Sequence, residues 1–469
     1  MIRLRYQQPS LWDGQFTAEV GDLWEPWMRE ADVVLEDEEL LEAVLEAQAH
    51  RWAHSRDRGR PQTPAEVVLR LLLLKHARNW SFAVLQREVR ANLVYRGFCR
   101  LGMQTVPDDK TLGGLARAIG PDVIRQLHQR MVELARAEKR VPGRKMRVDT
   151  TVVETNIHYP TDSSLLGDGL RVLTRLMQRV AERAESLGER VRNRMRSVKK
   201  KVVAIAISSR RQGAEGEQRR KKLYRELLSL TRKVVNQAQR VCAEVSEMPR
   251  RQRAAVGPLR GQIQTMMGRV RQVMQQARAR IFHGNTKSED KLASVFEPHT
   301  EIIRKGKASK PTEFGKMVKI QEAENQIITD YEVYARRPND FDVLVESVER
   351  HQQRLGRVAD LVAADAGFYT QANEKKLGEM GVKRVSIPNR KTQSEARRKW
   401  QKKRWFKKGQ RWRTGCEGRI SVLKRRHGLG RCLYEGPDGM DRWVGLGVIA
   451  NNLIAMGNLR ATLRLSPVT

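Results

Sequence analysis

The sequence predicts an α/β protein. A mixed sheet flanked by helices should follow an all-helical N-terminal domain, and a long helical coiled-coil insertion should interrupt the sheet after its first strand. Three observations predict this. Apolar spacing is helical up to about residue 140, a β-branched run begins at Lys145, and steps of three and four then mark 165–283 before strand signals resume. The expected divisions are 1–140, 141–164, 165–283 and 284–469.

Residues 1–140 read as helical. Thr63-Pro64-Ala65-Glu66 offers an N-cap, a proline at the first helical position and a glutamate three residues after the cap, which together mark a helix start. An apolar helix follows over 67–77, Asn79-Trp80-Ser81 breaks it, and Ser81 can cap a second helix through Val94. Helix, turn, helix is the layout of many DNA-binding modules and equally of ordinary helical packing. Binding of DNA ends is the function expected of 1–140. His50 and His54 stand four apart with no third ligand nearby, so they read as a helix-face pair and not a metal site.

The run Lys145-Met146-Arg147-Val148-Asp149-Thr150-Thr151-Val152-Val153 reads as a strand carrying an aspartate, closed by Pro160. Leu166, Leu170, Leu173, Met177, Val180, Ala184, Leu187, Val191, Met195, Val198 and Val202 then form a heptad seam along a helix of about 45 residues. Gly213 and Gly216 interrupt it. A second seam runs from Leu223 to Val245, Pro249 ends that one, and a third runs from Leu259 to Ile281. Short connections favour antiparallel neighbours, so the expectation is a three-helix coiled-coil arm. Residues 171–280 hold 29 basic and 8 acidic side chains, mostly off the seam.

Strand signals return over 314–321 and 326–334, a hairpin candidate, and 341–354 is helical. Leu361-Val362-Ala363-Ala364-Asp365 is a short buried-type strand ending in a second aspartate, and 382–387 is another strand before Pro388. Residues 391–430 carry 15 Lys or Arg against 2 acidic residues, interleaved with Trp400, Trp405, Phe406 and Trp412. A helix carrying Glu417 through Arg426 ends this stretch, although Gly415 and Gly418 argue against helix near its start. An apolar helix over 443–459 closes the chain.

The composition points to a polyanionic partner. Lys and Arg outnumber Asp and Glu by 90 to 54, for a formal net charge of +36. The first 50 residues oppose this with 3 basic and 12 acidic side chains, so the charge is no uniform coat. The densest apolar run, 67–74, contains Arg70 and is too short to span a bilayer, which leaves nucleic acid ahead of a membrane surface. Cys99, Cys242, Cys416 and Cys432 form no C-x-x-C pair, so neither disulfides nor a zinc module is expected. The start of the chain does not read as a signal peptide, and the setting expected is intracellular.

A strand with Asp, a hairpin, a helix, a strand ending in Asp, a strand and a helix with Glu follow one another as in an RNase H-like catalytic core. On this order the chain resembles the bacterial insertion-sequence DDE transposases of the retroviral-integrase superfamily. The residues that carry the resemblance are Val148-Asp149-Thr150-Thr151, Asp365-Ala366-Gly367-Phe368 and Arg413-Thr414-Gly415-Cys416-Glu417. Many such transposases share Tyr-x2-Arg-x3-Glu-x6-Lys around the third acid; Arg413, Glu417 and Lys424 fit it, and Gln410 stands at the tyrosine position. Residues 155–166 also resemble a subgroup, and the resemblance covers roughly 50–460. It implies catalysis and metal binding by Asp149, Asp365 and Glu417, two Mg²⁺ (or Mn²⁺) as cofactors, and transposon ends and target DNA as partners. It further implies a homo-oligomer, at least a dimer on paired ends, working at the bacterial nucleoid in the cytoplasm. Arg413, Lys424, Arg404, Lys407, Trp400, Trp405 and Trp412 are the candidate DNA contacts, since cations and aromatic faces suit nucleic acid.

Chemistry gives an independent reason for three acids. Attack on a phosphodiester must activate a water or a 3′-hydroxyl and stabilise the leaving oxygen. Two Mg²⁺ about 4 Å apart can do both, held by hard carboxylate oxygens. Asp149 would bridge them, with Asp365 and Glu417 completing either side. Taken singly, each acid has a plainer reading: a strand-end cap for either aspartate, an intrahelical partner of Arg413 or Lys424 for Glu417. Asp360 rivals Asp365 but precedes the apolar strand. Cys416 reads as a small packing residue. Two other functions compete. A non-catalytic DNA-binding descendant would gain nothing from an acid triad, and an RNase H-like nuclease that cuts without joining would not need the basic insertion.

Overall fold

The computed structural model describes residues 2–6, 19–50, 54, 56, 58, 62–184, 187–188, 191–210, 213–286, 290–304 and 311–465. Two compact units emerge, Met1–Asn156 with Gly315–Thr469, and Ile157–Phe314.

The first unit begins with helices α1 (Pro26–Val34), α2 (Glu38–Ala49), α3 (Ala65–Arg78), α4 (Phe82–Ala91), α5 (Leu93–Phe98), α6 (Asp109–Ala118) and α7 (Pro121–Ala137). Every residue of α3 from Ala65 to His76 is buried, as suits a helix apolar on nearly all sides. Its one central charge, Arg70, is neutralised by Asp32 at 2.7 Å and Glu66 at 2.8 Å. Three expectations change here. Pro64, not Thr63, stands at the cap of α3, because the Glu66 carboxylate is drawn to Arg70 and does not reach back. Ser81 does cap α4, but Asn92 adopts an extended backbone and caps α5 at Tyr95 N, splitting the helix expected through Val94. His50 ends α2 with its Nδ1 on the Glu46 carbonyl, so it and His54 do not share a helix face.

The sheet is built on β1 (Lys145–Thr155). One neighbour, β3 (Thr312–Glu322), runs antiparallel and sets Asp149 opposite Ile320 and Arg147 opposite Glu322. The other, β5 (Leu361–Ala363), runs parallel but meets only Lys145 to Arg147. Beyond it lies β6 (Arg384–Ser386), parallel to β5; β4 (Ile328–Val333) pairs antiparallel with β3, and β7 (Arg431–Cys432) runs parallel to the far end of β1. Helices α12 (Leu344–Leu355) and α13 (Gln371–Glu379) join these strands, and α14 (Glu395–Lys402) leads into α15 (Arg404–Arg426), which packs on β1, β5 and β6. The last helix, α16 (Gly436–Leu465), packs on α1, α3, α7 and β4, and its Asn452 grips both polar groups of the Ile328 backbone at 2.8 and 2.9 Å.

Leu446, Ile449, Leu453 and Met456 of α16 belong to the same apolar core as the N-terminal helices. Residues 1–140 are therefore not a separate domain, as the sequence had suggested. Helical spacing reveals an apolar face but not the distant segment that covers it.

The second unit holds α8 (Asp162–Arg183), α9 (Met195–Ser208), α10 (Ala214–Glu247) and α11 (Arg250–His283), with β2 (Glu301–Arg304) at its end. The seam residues pack into one core, from Leu166 and Met177 to Val241 and Ala277. The expected 45-residue helix is nevertheless two helices, which makes four in place of three. Ala184 leaves helical geometry at φ −126°, and Gly188 turns its N–H to the Glu244 carboxylate at 2.9 Å. The unit also extends past 283, because buried Gln276 binds both polar groups of Leu292 and Arg269 donates to the Val295 carbonyl at 2.7 Å.

Helix α15 contains Gly409, Gly415 and Gly418, yet it runs unbroken to Arg426. A Cβ on Gly409 would lie 2.6 Å from Ser386 Oγ, and one on Gly415 would strike the Arg147 guanidinium, whereas nothing lies within 4 Å of Gly418. Gly415→Ala should lower stability by roughly 1–3 kcal/mol through overpacking. Gly418→Ala should raise it by roughly 0.5–1 kcal/mol through helix propensity. Denaturant titration of the two variants checks this, and equal effects at both positions would disprove the packing account.

Candidate active site

Asp149 follows the last β1 residue that pairs with β5 by two positions. Its Oδ1 accepts the Thr150 N–H at 2.8 Å, which orients the carboxylate from within its own strand. Asp365 opens the tight turn Ala366–Phe368 just past β5, and its Oδ1 accepts the Gly367 N–H at 2.8 Å. Glu417 lies midway along α15, and Arg413 sits one turn earlier on the same face. Arg413 reaches both Glu417, at 2.8 Å, and Asp149, at 3.7 Å.

The Asp149 carboxyl is pushed up to about 6. Burial is the largest cause, and the negative charges of Asp365 and Glu417 add to it, while the Thr150 N–H and Arg413 oppose it. Asp365, from a turn, and Glu417, from a helix, thus both lie within electrostatic reach of Asp149 on its strand. The rival Asp360 instead pairs with Lys383 at 2.9 Å and Arg357 at 3.0 Å, which hold its carboxyl below the usual range. Cys416 is fully buried.

The donor set suits a hard divalent cation, since it consists of carboxylates whose mutual repulsion a cation would relieve. Among the described residues, however, no three acidic groups are gathered closely enough to hold a metal as they stand. Arg413 acts as counter-cation to two of the three.

Two further residues brace the site. Gln410, at the position of the motif tyrosine, uses its amide to bind the Ala364 carbonyl at 3.3 Å and Ser386 Oγ at 3.2 Å, and so ties α15 to the ends of β5 and β6. Asp340, in the turn before α12, accepts the Thr150 hydroxyl at 2.8 Å. The motif marks Gln410 only as a departure from tyrosine, and no motif marks Asp340.

The expected DNA-contact residues divide into groups. Arg404, Trp405 and Trp412 line an open groove on α15, joined by Lys408 and Arg411, which the sequence reading had not named. Trp400 is set edge-on against Trp405 at 5.4 Å and covered by Lys403 at 4.0 Å. Lys407 is exposed but does not line the groove. Trp412 lies under the Arg147 guanidinium at 4.8 Å. Lys424 is half-buried in the last turns of α15.

Comparison with known families decides the identity. The family described as "Transposase domain (DUF772)" matches residues 26–116, and the family described as "Transposase DDE domain" matches residues 297–453. Together they span more than half of the chain. The chain belongs to the insertion-sequence DDE transposases. The first match runs from α1 into α6; the second contains Asp365 and Glu417, and Asp149 precedes it in the chain. No curated protein and no solved structure matches the transposase. Family membership implies an RNase H-like core, DNA as partner and a divalent metal as cofactor. No helix among the described residues is long and apolar enough to cross a membrane.

The raised carboxyl of Asp149 has a consequence for stability. Its folded value of about 6 lies above the ordinary aspartate value of 3.8, so the protonated form is favoured by folding, and that contribution is lost as pH rises from 4 to 6. Asn mimics the protonated form. In chelator, Asp149→Asn should melt like the parent near pH 4 and gain up to about 3 kcal/mol above pH 6. Melting curves across pH 4–8 test this, and a gain independent of pH would refute it.

Proposed function

We propose that this transposase cleaves DNA at the ends of its element and joins the 3′-hydroxyl ends to target DNA, using Asp149, Asp365 and Glu417 as ligands of divalent cations. The observation that carries this reading is the setting of Asp149, on which the charges of Asp365, from a turn, and Glu417, from a helix, both act. Asp149, Asp365 and Glu417 would hold Mg²⁺, which when bound supplies Lewis acidity for activating a hydroxyl nucleophile and stabilising a leaving oxygen. The chain's own part is to hold the carboxylates rigid. Thr150 N–H orients Asp149, Gly367 N–H orients Asp365, and the Gln410 contacts fix α15, which carries Glu417. Arg413 is the nearest cation for a phosphate oxygen, once released from the acids it pairs with.

Three further assignments belong to this reading. The helices matched by the first transposase family would bind the element's ends. The groove of Trp405, Trp412, Arg404, Lys408 and Arg411 would contact DNA beside the acids, through stacking and phosphate pairing. The second unit, with its excess of Lys and Arg, would lie along DNA in an assembly of at least two copies.

Asp149→Asn, Asp365→Asn and Glu417→Gln should each abolish cleavage of an end-containing duplex in Mg²⁺ while end binding stays intact or tightens. Loss of a ligand removes a cation site, whereas loss of a negative charge near phosphate does not weaken attraction. Gel assays for cleavage and binding on the same preparations separate the two effects. Cleavage retained in any one variant would remove that residue from the site.

A further inference from the structure

We propose that Asp340 is a positioning residue of the acid site, acting on Asp149 through the hydroxyl of Thr150; this rests on the function proposed above.

The need for such a residue arises from the sheet. β1 keeps its ladder with β3 as far as Glu154, but its pairing with β5 stops at Arg147. At Asp149 and Thr150 the strand therefore lacks a neighbour on the β5 side, where a catalytic carboxylate most needs a fixed backbone. Successive strand residues point to opposite faces, so Asp149 and Thr150 address different sides of the sheet. Asp149 meets Arg413 of α15, and Thr150 donates its hydroxyl to Asp340 Oδ1 at 2.8 Å. Thr150 thus serves two acids at once, the side chain binding Asp340 and the N–H binding Asp149. A shift of Thr150 must move the donor that orients Asp149.

Asp340 is itself anchored. Its turn, Asp340–Val343, is stapled to the Asp365 turn by Asn373, whose Nδ2 donates to the Phe341 carbonyl at 2.7 Å and the Phe368 carbonyl at 3.3 Å. Gly367 lies between the two acids. Asp340 Oδ2 and Asp365 Oδ1 each stand 3.1 Å from the point where a Cβ on Gly367 would sit, so they are at most twice that distance apart. One residue thereby relates the strand of the first acid to the turn of the second. The Asp340 turn runs directly into the N-terminus of α12, whose dipole favours a negative charge there.

The test uses the full-length protein and an end-containing duplex, with Asp340→Ala, Thr150→Val, their double variant, and the conservative Asp340→Asn and Thr150→Ser. Asn keeps an oxygen for the Thr150 hydroxyl, and Ser keeps the hydroxyl. Cleavage rate is followed against Mn²⁺ concentration and against pH, with melting temperature and end binding as controls. Asp340→Ala and Thr150→Val should each slow cleavage by roughly ten- to a hundredfold, the scale expected when a catalytic group is misplaced by about 1 Å. Both should raise the Mn²⁺ concentration needed for half-maximal rate and shift the acid limb of the pH profile. The double variant should be no slower than the worse single, and the conservative variants should stay within a few-fold of the parent. Multiplying defects in the double variant would overturn the proposal. So would an Asp340→Asn as inactive as Asp365→Asn beside a near-normal Thr150→Val, which would make Asp340 a direct participant. A change confined to melting temperature would reduce it to a structural residue. If Asp340→Ala fails to fold, Thr150→Val against Thr150→Ser carries the same comparison. Asp149→Asn serves as the outer control: if it still cleaves, the acid-site reading fails, whereas an inactive Asp149→Asn with a normal Thr150→Val defeats the positioning role alone.

Discussion

The placement of the acids depends on one buried ion pair. Arg147 and Glu322 face each other across β1 and β3, with the Glu322 side chain wholly and the Arg147 side chain almost wholly inaccessible. Arg147 also lies over the Trp412 ring and donates to the Trp412 carbonyl, and Arg419 approaches Glu322 at 4.0 Å from the same helix. The guanidinium therefore acts as a peg on which α15 is hung. Two residues further along the same face of β1 is Asp149, and the helix turn around the peg carries Arg413 and Glu417. Such a pair contributes little net stability, because desolvation offsets attraction, yet removing one partner costs about 3–5 kcal/mol. Its value here is registry. It fixes the rotation of α15 so that Cys416 points inward and the Arg413–Glu417 face meets the strand.

That geometry explains which parts of the protein were legible in its sequence. Asp149 was visible because a β-branched run surrounds it, and Asp365 because an apolar strand ends at it. The helix around Glu417 was harder to read, since Gly409, Gly415 and Gly418 each lower helix propensity. Two of these glycines exist for contacts the sequence cannot display. Gly409 admits Ser386 and Gly415 admits Arg147, so the loss in propensity is offset by close packing. The roles of Asp340, Thr150 and Gln410 were hidden for a related reason. Each acts through a partner remote in the chain, and an isolated Asp before a helix looks like an ordinary cap.

The helical parts teach a different lesson. The seam from Leu166 to Val202 keeps its steps of three and four although the helix stops at Arg183. Leu187 and Val191 remain packed against the core from non-helical backbone, because a connection that crosses an apolar bundle also needs apolar side chains. Periodicity reports burial, and only the break at Gly188 reports the change of backbone. In the N-terminal helices the spacing was right about the faces and silent about the partner. The covering helix, α16, lies more than three hundred residues further along the chain.

Charge supplies the last constraint. A chain with a net charge of +36 sets two carboxylates on one guanidinium, with the charge of Asp365 also felt at Asp149, which leaves two negative charges among these groups when all are ionised. A DNA backbone brought to that point would be repelled over a few ångströms. The Lys and Arg of distant helices could not compensate, because fields beyond a Debye length of about 10 Å are screened. Burial already answers part of the repulsion by raising the Asp149 carboxyl, and Arg413 answers more by pairing with two acids. Arg413 cannot serve those acids and a phosphate at full strength together. In the proposed reading, divalent cations resolve the conflict, since they reverse the sign of the site and free the guanidinium for the substrate. An acidic centre inside a strongly basic protein would then suit metal-assisted chemistry on a polyanion. In that reading the basic surface would collect the DNA, and the acids would hold the charges that act on it.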